Sequence, residues 1–446
     1  MKRIGSGAVL VVVALAGDPE VVVAQQGRVD PLSSLSSWAD DMWLTILDRD
    51  GAYWGRVATQ GVFQRFNLLM HTDYELNVRL ARFSPAEEAR WADVSRGLRG
   101  SGASLSHPHL LNLVEWRERV PIGGPVDLVV RYVRERSFTA QRDYVRMGVR
   151  WREAFGTGWD AGLEFGVHFF KPSADVELIA VRRWGDDERA WAVEVRAAVL
   201  DAFSNVVFNE LGVRPEEQDL LIDYDSQPLA AKVSVRRIAP LWRVEAHGGT
   251  TTRTRAAISY AATDGVPFAL LEDVAFAGAL GELHATRALT VAAYGTLARA
   301  STERESADPS VALRVSETTR VGGVRARHLF RGALAGELDA QATWRPEARQ
   351  GAAVPAIDHT DRELMAIAGV ARAPAAGWNW RLALSWSDRE AGALAPGLTK
   401  KHRRQLMEGG YRFTSGFDVN AGVRWNLDDL STVLFAGGHV RFTTSW

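Results

Sequence analysis

Over much of this chain apolar and polar residues alternate one by one in segments of about ten residues, the period of a β-strand. From Phe417 to Leu427, Phe417, Val419, Ala421, Val423, Trp425 and Leu427 share one face, while Asp418, Asn420, Gly422, Arg424 and Asn426 share the other. Successive strand side chains point to opposite sides, so such a ribbon is apolar on one face and polar on the other. Trp378, Trp380, Leu382, Leu384 and Trp386 alternate in the same way with Asn379, Arg381, Ala383 and Ser385. Val145, Met147, Val149 and Trp151 oppose Arg146, Gly148 and Arg150. Leu163, Phe165, Val167 and Phe169 oppose Gly162, Glu164, Gly166 and His168. Trp191, Val193, Val195, Ala197 and Val199 oppose Ala192, Glu194, Arg196 and Ala198. Leu338, Ala340, Ala342 and Trp344 oppose Asp339, Gln341 and Thr343. The pattern predicts an all-β chain.

Alternation alone suits a soluble sandwich as well as a membrane barrel. Tryptophan placement separates the two. Trp151, Trp344, Trp378, Trp386, Trp425 and Trp446 all fall at or near the ends of apolar faces. Two aromatic girdles at the membrane interfaces require that placement, because an indole buries its ring and keeps its N–H near water. Connection lengths point the same way. The joints at 373–377 and 415–416 are tight, whereas 345–361 and 388–403 read as long polar loops. Counted back from a periplasmic C-terminus, both long segments and the 428–429 joint fall outside, but the long stretch 301–309 falls on the wrong side, so the count of strands breaks down there.

The final segment, Val433 to Trp446, alternates too, with Val440, Phe442 and Trp446 on its apolar face. A strand that ends on an aromatic residue resembles the closing strand of Gram-negative outer-membrane β-barrel proteins of porin-like type. In that family the terminal aromatic and the apolar residues before it are the signal read by the barrel-assembly machinery, a role the resemblance gives to Val440, Phe442 and Trp446. Thr444 departs from the pattern, since an aromatic usually stands third from the end.

The N-terminus reads as a secretory signal peptide over 1–24. Met1-Lys2-Arg3 is cationic, 4–17 is apolar, and Val22-Val23-Ala24 offers compact residues before a cleavage at Gln25. The absence of cysteine excludes lipoprotein anchoring, thiol catalysis and iron–sulfur ligation. A net charge of −1 gives no attraction to nucleic acid. Residues 25–74 do not alternate. Trp38, Met42, Leu44 and Ile46 can form a short helix after Ser37, as a periplasmic element, a lumen insert or a poorly ordered lead. The segment is far shorter than the plug domain of a TonB-dependent receptor. Strands are expected from about Glu75, with Leu76, Val78 and Leu80 outward. The remaining stretch, 75–446, accommodates an antiparallel transmembrane β-barrel of about 16–18 strands, wide enough for an aqueous channel.

Charge on the inward positions is the candidate chemistry. Arg146, Arg150, Arg196, Arg381, Arg412, Arg424 and Arg441 face Glu164, Glu194, Asp339, Glu408 and Asp418 in a lumen lining; Arg79, Arg131, Arg255 and Asp127 are expected inward as well. A charge on the lipid face costs about 2–4 kcal/mol near the midplane, so these side chains should meet water or one another. Such a lining would filter small hydrophilic solutes by size and charge; the bland alternative is a set of inter-strand salt bridges. His107-Pro108-His109 lacks companion ligands for a metal, and Asp48-Arg49-Asp50-Gly51 is an incomplete calcium loop. Ser104, Ser106, His107 and His109 are the residue types of a barrel hydrolase, but no G-x-S-x-G motif accompanies them. The expectation is therefore a passive channel and not an enzyme, with no cofactor and no metal. The rival is a non-conducting structural or surface-interaction barrel. Expected partners are outer-membrane lipid and lipopolysaccharide, the assembly machinery and small solutes, with a homo-oligomer left open.

Overall fold

The computed structural model describes residues 39, 43, 97–102, 112–136, 141–168, 173–186, 189–204, 220–260, 265–330, 333–351, 354–372, 374–390, 401–415, 417–427 and 437–445. Twenty β-elements follow in chain order. The first seven are β1 (Gly97–Gly102), β2 (Asn112–Gly123), β3 (Val126–Arg136), β4 (Gln141–Trp151), β5 (Trp159–His168), β6 (Ser173–Gly185) and β7 (Ala190–Ser204). Next come β8 (Leu220–Tyr224), β9 (Leu229–Ile238), β10 (Trp242–Thr251), β11 (Thr254–Tyr260), β12 (Phe268–His284), β13 (Leu289–Glu305) and β14 (Leu313–Leu329). The last are β15 (Leu334–Gly351), β16 (Val354–Arg372), β17 (Gly377–Glu390), β18 (Lys401–Arg412), β19 (Asp418–Asn426) and β20 (Gly437–Ser445).

Two pairs of these elements are single wall strands with a break. Both β8 and β9 face the β10–β11 line, β8 pairing with β11 and β9 with β10, and β12 pairs with β10 and β11 in turn. Twenty elements joined at these two breaks make 18 wall strands, the upper end of the expected range. Each strand pairs antiparallel with its sequence neighbours, and β1 pairs with β2 on one side and with β20 on the other. The ladder thus returns to its start, which removes the open edges that lipid cannot satisfy. Val433–Ala436, Trp446, the expected signal peptide and residues 75–96 lie outside the described residues.

The wall is inside-out relative to a soluble domain. Leu128, Met147, Leu178, Val195, Leu338, Leu382 and Leu384 are exposed, while Asp127, Arg146, Glu164, Glu177, Arg381, Glu408 and Asp418 are buried on the opposite face. Alternation put them there, and lipid is the solvent that makes it stable. The inward face is not uniformly polar: Val274, Phe276 and Leu280 of β12 and Val321 of β14 are buried on the same side as Glu282 and Arg325. Gly249 leaves room for the Phe276 ring, which a Cβ there would strike.

Aromatics mark where the membrane ends, not where the strands end. Trp344 lies on the outer face, yet β15 continues to Gly351 and pairs with β16 through Arg345↔Asp361 and Ala348↔Asp358. The long loop expected at 345–361 is therefore hairpin, paired as far as Gly351↔Val354. β12 to β16 have 17 to 19 residues, against the roughly 9–11 that span a bilayer, so their far ends stand clear of it. The parity problem also resolves. Residues 301–305 belong to β13, and the 306–312 turn lies at the end of the wall where β15 and β17 finish.

A third correction concerns Arg255. The break between Thr251 and Thr254 shifts the alternation by one, so that Thr254 and Ala256 are buried and Arg255 faces out. It joins a surface network at the far end, with Arg255 paired to Glu305 at 3.4 Å and Arg253 to Glu303 at 2.8 Å.

Candidate pore lining

β4, β5, β6 and β7 bring the first charged group together. Residues at inward positions of neighbouring strands stand side by side in the register: Glu164 opposite Glu177, and Ile179 opposite Arg196. Two carboxylates set abreast need cations between them. Arg146 supplies one, paired with Glu177 and 3.8 Å from Glu164. Arg150 reaches Glu164 at 3.1 Å, and Arg196 bridges Glu194 at 2.5 Å and Glu177 at 3.2 Å. Gly148 lies between the two arginines, and a Cβ there would collide with Glu164. Its lack of a side chain is what lets the carboxylate lie across β4.

Glu177 is 0% exposed and is the hub of this group. Its Oε1 also accepts a hydrogen bond at 3.0 Å from the indole Nε1–H of Trp43, itself 1% exposed. Ala39 and Trp43, one helical turn apart, are both buried. A residue from the segment that does not alternate therefore occupies the lumen at the height of the charged group. Trp38, Met42, Leu44 and Ile46 lie outside the described residues.

Across the lining, β14, β15 and β17 form a second group. Arg325 holds Asp339 through Nε at 3.0 Å and Nη2 at 2.8 Å, and Tyr294 donates its hydroxyl to the other oxygen at 2.9 Å. Arg381 pairs with Glu337 at 3.1 Å, while Glu408, buried, is its register partner on β18. Arg412 binds the fully buried Asp418 at 2.6 Å. Of Arg424 and Arg441 only the backbone is described, in β19 and β20. Between the groups, His247 contacts Ser234 at 2.8 Å and Glu245, which also pairs with Arg236 at 3.4 Å. This serine, histidine and carboxylate stand on strands paired on both sides, whose amides are engaged in the ladder and so offer no oxyanion donor. Among the described residues no cluster of His, Asp or Glu is arranged to hold a metal ion. Ser104, Ser106, His107 and His109 lie outside them.

Arg146, Arg150, Arg196, Arg381, Arg412, Glu164, Glu194, Asp339 and Asp418 are thus inward and paired with opposite charge, and Glu408 is buried opposite Arg381, whereas Arg255 faces out. Glu177, Glu337, Arg325 and His247 were not anticipated. The reason for Glu177 is visible in β6, where Ile179 and Val181 are buried on the same face as Glu177 and blur the alternation.

No family model and no curated protein matches this chain. Solved structures similar to it include OmpTΔL8, a loop-deletion mutant of an outer-membrane protein of Vibrio cholerae, at 9% identity, covering 79% of this chain and 97% of that one, with a TM-score of 0.39. OccK11 (OpdR) of Pseudomonas aeruginosa is similar at 11% identity over 79% and 94%, TM-score 0.39. CdiB from Acinetobacter baumannii is similar at 7% identity over 79% and 59%, TM-score 0.40. At such values the fold rests on the pairing ring and the inside-out wall. A ring of antiparallel strands with an apolar exterior and a charged interior is a transmembrane β-barrel of outer-membrane type.

Proposed function

We propose that this protein is a porin-like channel of a Gram-negative outer membrane, for passive diffusion of small hydrophilic solutes. The observation that carries the reading is the inward belt of Arg146, Arg150, Arg196, Glu164, Glu177 and Glu194 on an 18-strand wall. A wall of that size encloses a water-filled lumen unless something fills it. Arginines interleaved with carboxylates give a transverse field that orients dipolar solutes and a constriction that limits their size. Because the belt is paired internally, its selectivity for ion sign is weak. The partners that go with this reading are the assembly machinery and lipopolysaccharide, for which Arg299 and Arg320 offer exposed cations on the outer face beside Trp344. Single-channel recording of the folded protein in a planar bilayer tests it. Discrete openings with a small reversal potential in a salt gradient support the channel. Silence from inserted protein would favour the non-conducting barrel, and Trp43 in the lumen is the observation on that side.

A further inference from the structure

The outer face of the wall carries a second, unrelated arrangement at the short-turn end. Trp159, Arg182, Trp184, Trp191, Arg237 and Trp242 come from β5, β6, β7, β9 and β10, and all lie within a few residues of a short turn. Register fixes their order: Trp159 stands opposite Arg182, Trp184 opposite Trp191, and Trp191 opposite Arg237. The side chains stack into one column. Arg182 Cζ is 5.1 Å from the Trp159 ring and 5.2 Å from Trp184. Trp184 and Trp191 are stacked at 6.0 Å with 6° between their planes. Arg237 Cζ is 4.6 Å from Trp191 and 5.0 Å from Trp242.

Both guanidiniums are exposed on the outer face, and among the described residues neither has an acidic partner. The nearby Asp160 is paired with Arg183, and Asp186 caps the backbone N–H of Arg189. Stacking occupies the faces of a guanidinium and leaves its in-plane N–H donors pointing sideways. A fork held in that way matches the oxygens of a phosphodiester. Beyond the column, toward the middle of the wall, Val195, Val233 and Val244 are exposed on the same face. Cations at the rim with apolar wall beside them complement a phospholipid, its head at the column and its chains along the wall.

We propose that this column is a binding site for an anionic phospholipid of the leaflet at the short-turn end, with Arg182 and Arg237 each holding a phosphate oxygen edge. The inference rests on the wall facing lipid and not on conduction, so a silent channel would leave it intact. The test is native mass spectrometry of the whole protein in lipopolysaccharide-free detergent with added cardiolipin or phosphatidylethanolamine. The wild type is expected to retain cardiolipin over phosphatidylethanolamine, and Arg182→Gln with Arg237→Gln is expected to lower that retention by about fivefold for each arginine removed. Arg253→Gln with Arg255→Gln makes the same change in charge at the other end and should leave retention unchanged. Heat-modifiable migration on a gel verifies that each variant is folded. Should the double variant fail to fold, Arg237→Lys serves instead: it keeps the charge, loses the fork, and should still lose retention. Equal loss from both pairs of substitutions, no preference in the wild type, or full retention by Arg237→Lys would each overturn the site, leaving the column as an aromatic girdle only.

Discussion

At Glu177 a single carboxylate stands between two guanidiniums and an indole. Glu177→Gln keeps the shape and an acceptor for Trp43 and Arg196 but removes one negative charge from the belt. Arg146 and Arg196 then share less counter-charge, and one unit charge at about 4 Å is worth about 1 kcal/mol in water. The expected outcome is a folded channel whose anion-over-cation permeability ratio rises up to about fivefold, read from the reversal potential. An unchanged potential would mean that ions do not pass this group. A second prediction sits outside the membrane, in the turn between β13 and β14. Asp308 accepts hydrogen bonds from the Ser310 hydroxyl at 2.7 Å and from the Ser310 N–H at 2.8 Å. These hold its carboxyl below the usual range. A lowered value means that the turn keeps its full support above the ordinary aspartate range and loses it as pH falls through the lowered one. Protection of the Ser310 amide, relative to its intrinsic exchange rate, should therefore fall only under distinctly acidic conditions, and should already be lost at neutral pH in Asp308→Ala.

Among the elements, β17 shows how much a single strand can encode. Trp378, Trp380, Leu382, Leu384 and Trp386 are all exposed on the lipid face, while Arg381 and Ala383 between them are buried. Trp378 joins Tyr411 and Phe413 in a run of edge contacts at 5.4 and 4.9 Å, which forms part of the girdle at the short-turn end. Leu382 lies between the aromatic ends, so Leu382→Arg should destabilise the barrel by about 2–4 kcal/mol, measured by urea titration in vesicles. The same substitution at Ala348, in the outer half of β15, should cost little, because that half stands in water. The alternation of β17 is legible because its outward positions from Trp378 to Trp386 are all apolar and the inward ones between them are not. The outer half of the β15–β16 hairpin is not legible, since polar strands facing water on both sides look like loop.

For the molecule as a whole, the central fact is that the ladder returns to β1. A closed ring needs neither a cap nor a partner to satisfy its edges, and it separates an apolar exterior from a polar interior. What occupies that interior then decides conduction. Trp43 reaches Glu177 from the chain's N-terminal part, and its indole lies among the groups read as the constriction. Trp43→Ala should therefore raise single-channel conductance while the barrel still folds, because no wall strand depends on that contact. A variant with unaltered conductance and normal insertion would show that the indole does not stand in the ion path.

Sequence by itself determined the class of this protein: period-two alternation, tryptophans at the ends of apolar faces and charges on the opposite faces are local, and lipid leaves a chain of that pattern one solution. It also determined which face of most strands each charge occupies, since neighbouring residues on a strand point opposite ways. Tertiary structure alone decided the rest. Which arginine meets which carboxylate depends on register between strands, and the break before Thr254 reversed Arg255 in a way no local pattern records. Glu177 became a hub only because β5 and β7 set Glu164 and Arg196 on either side of it, and Trp43 joined it across more than a hundred residues of chain. The column from Trp159 to Trp242 spans five elements and exists only when they stand abreast. Pairing between distant segments is set by the closure of the whole ring, and that is a property no single strand carries.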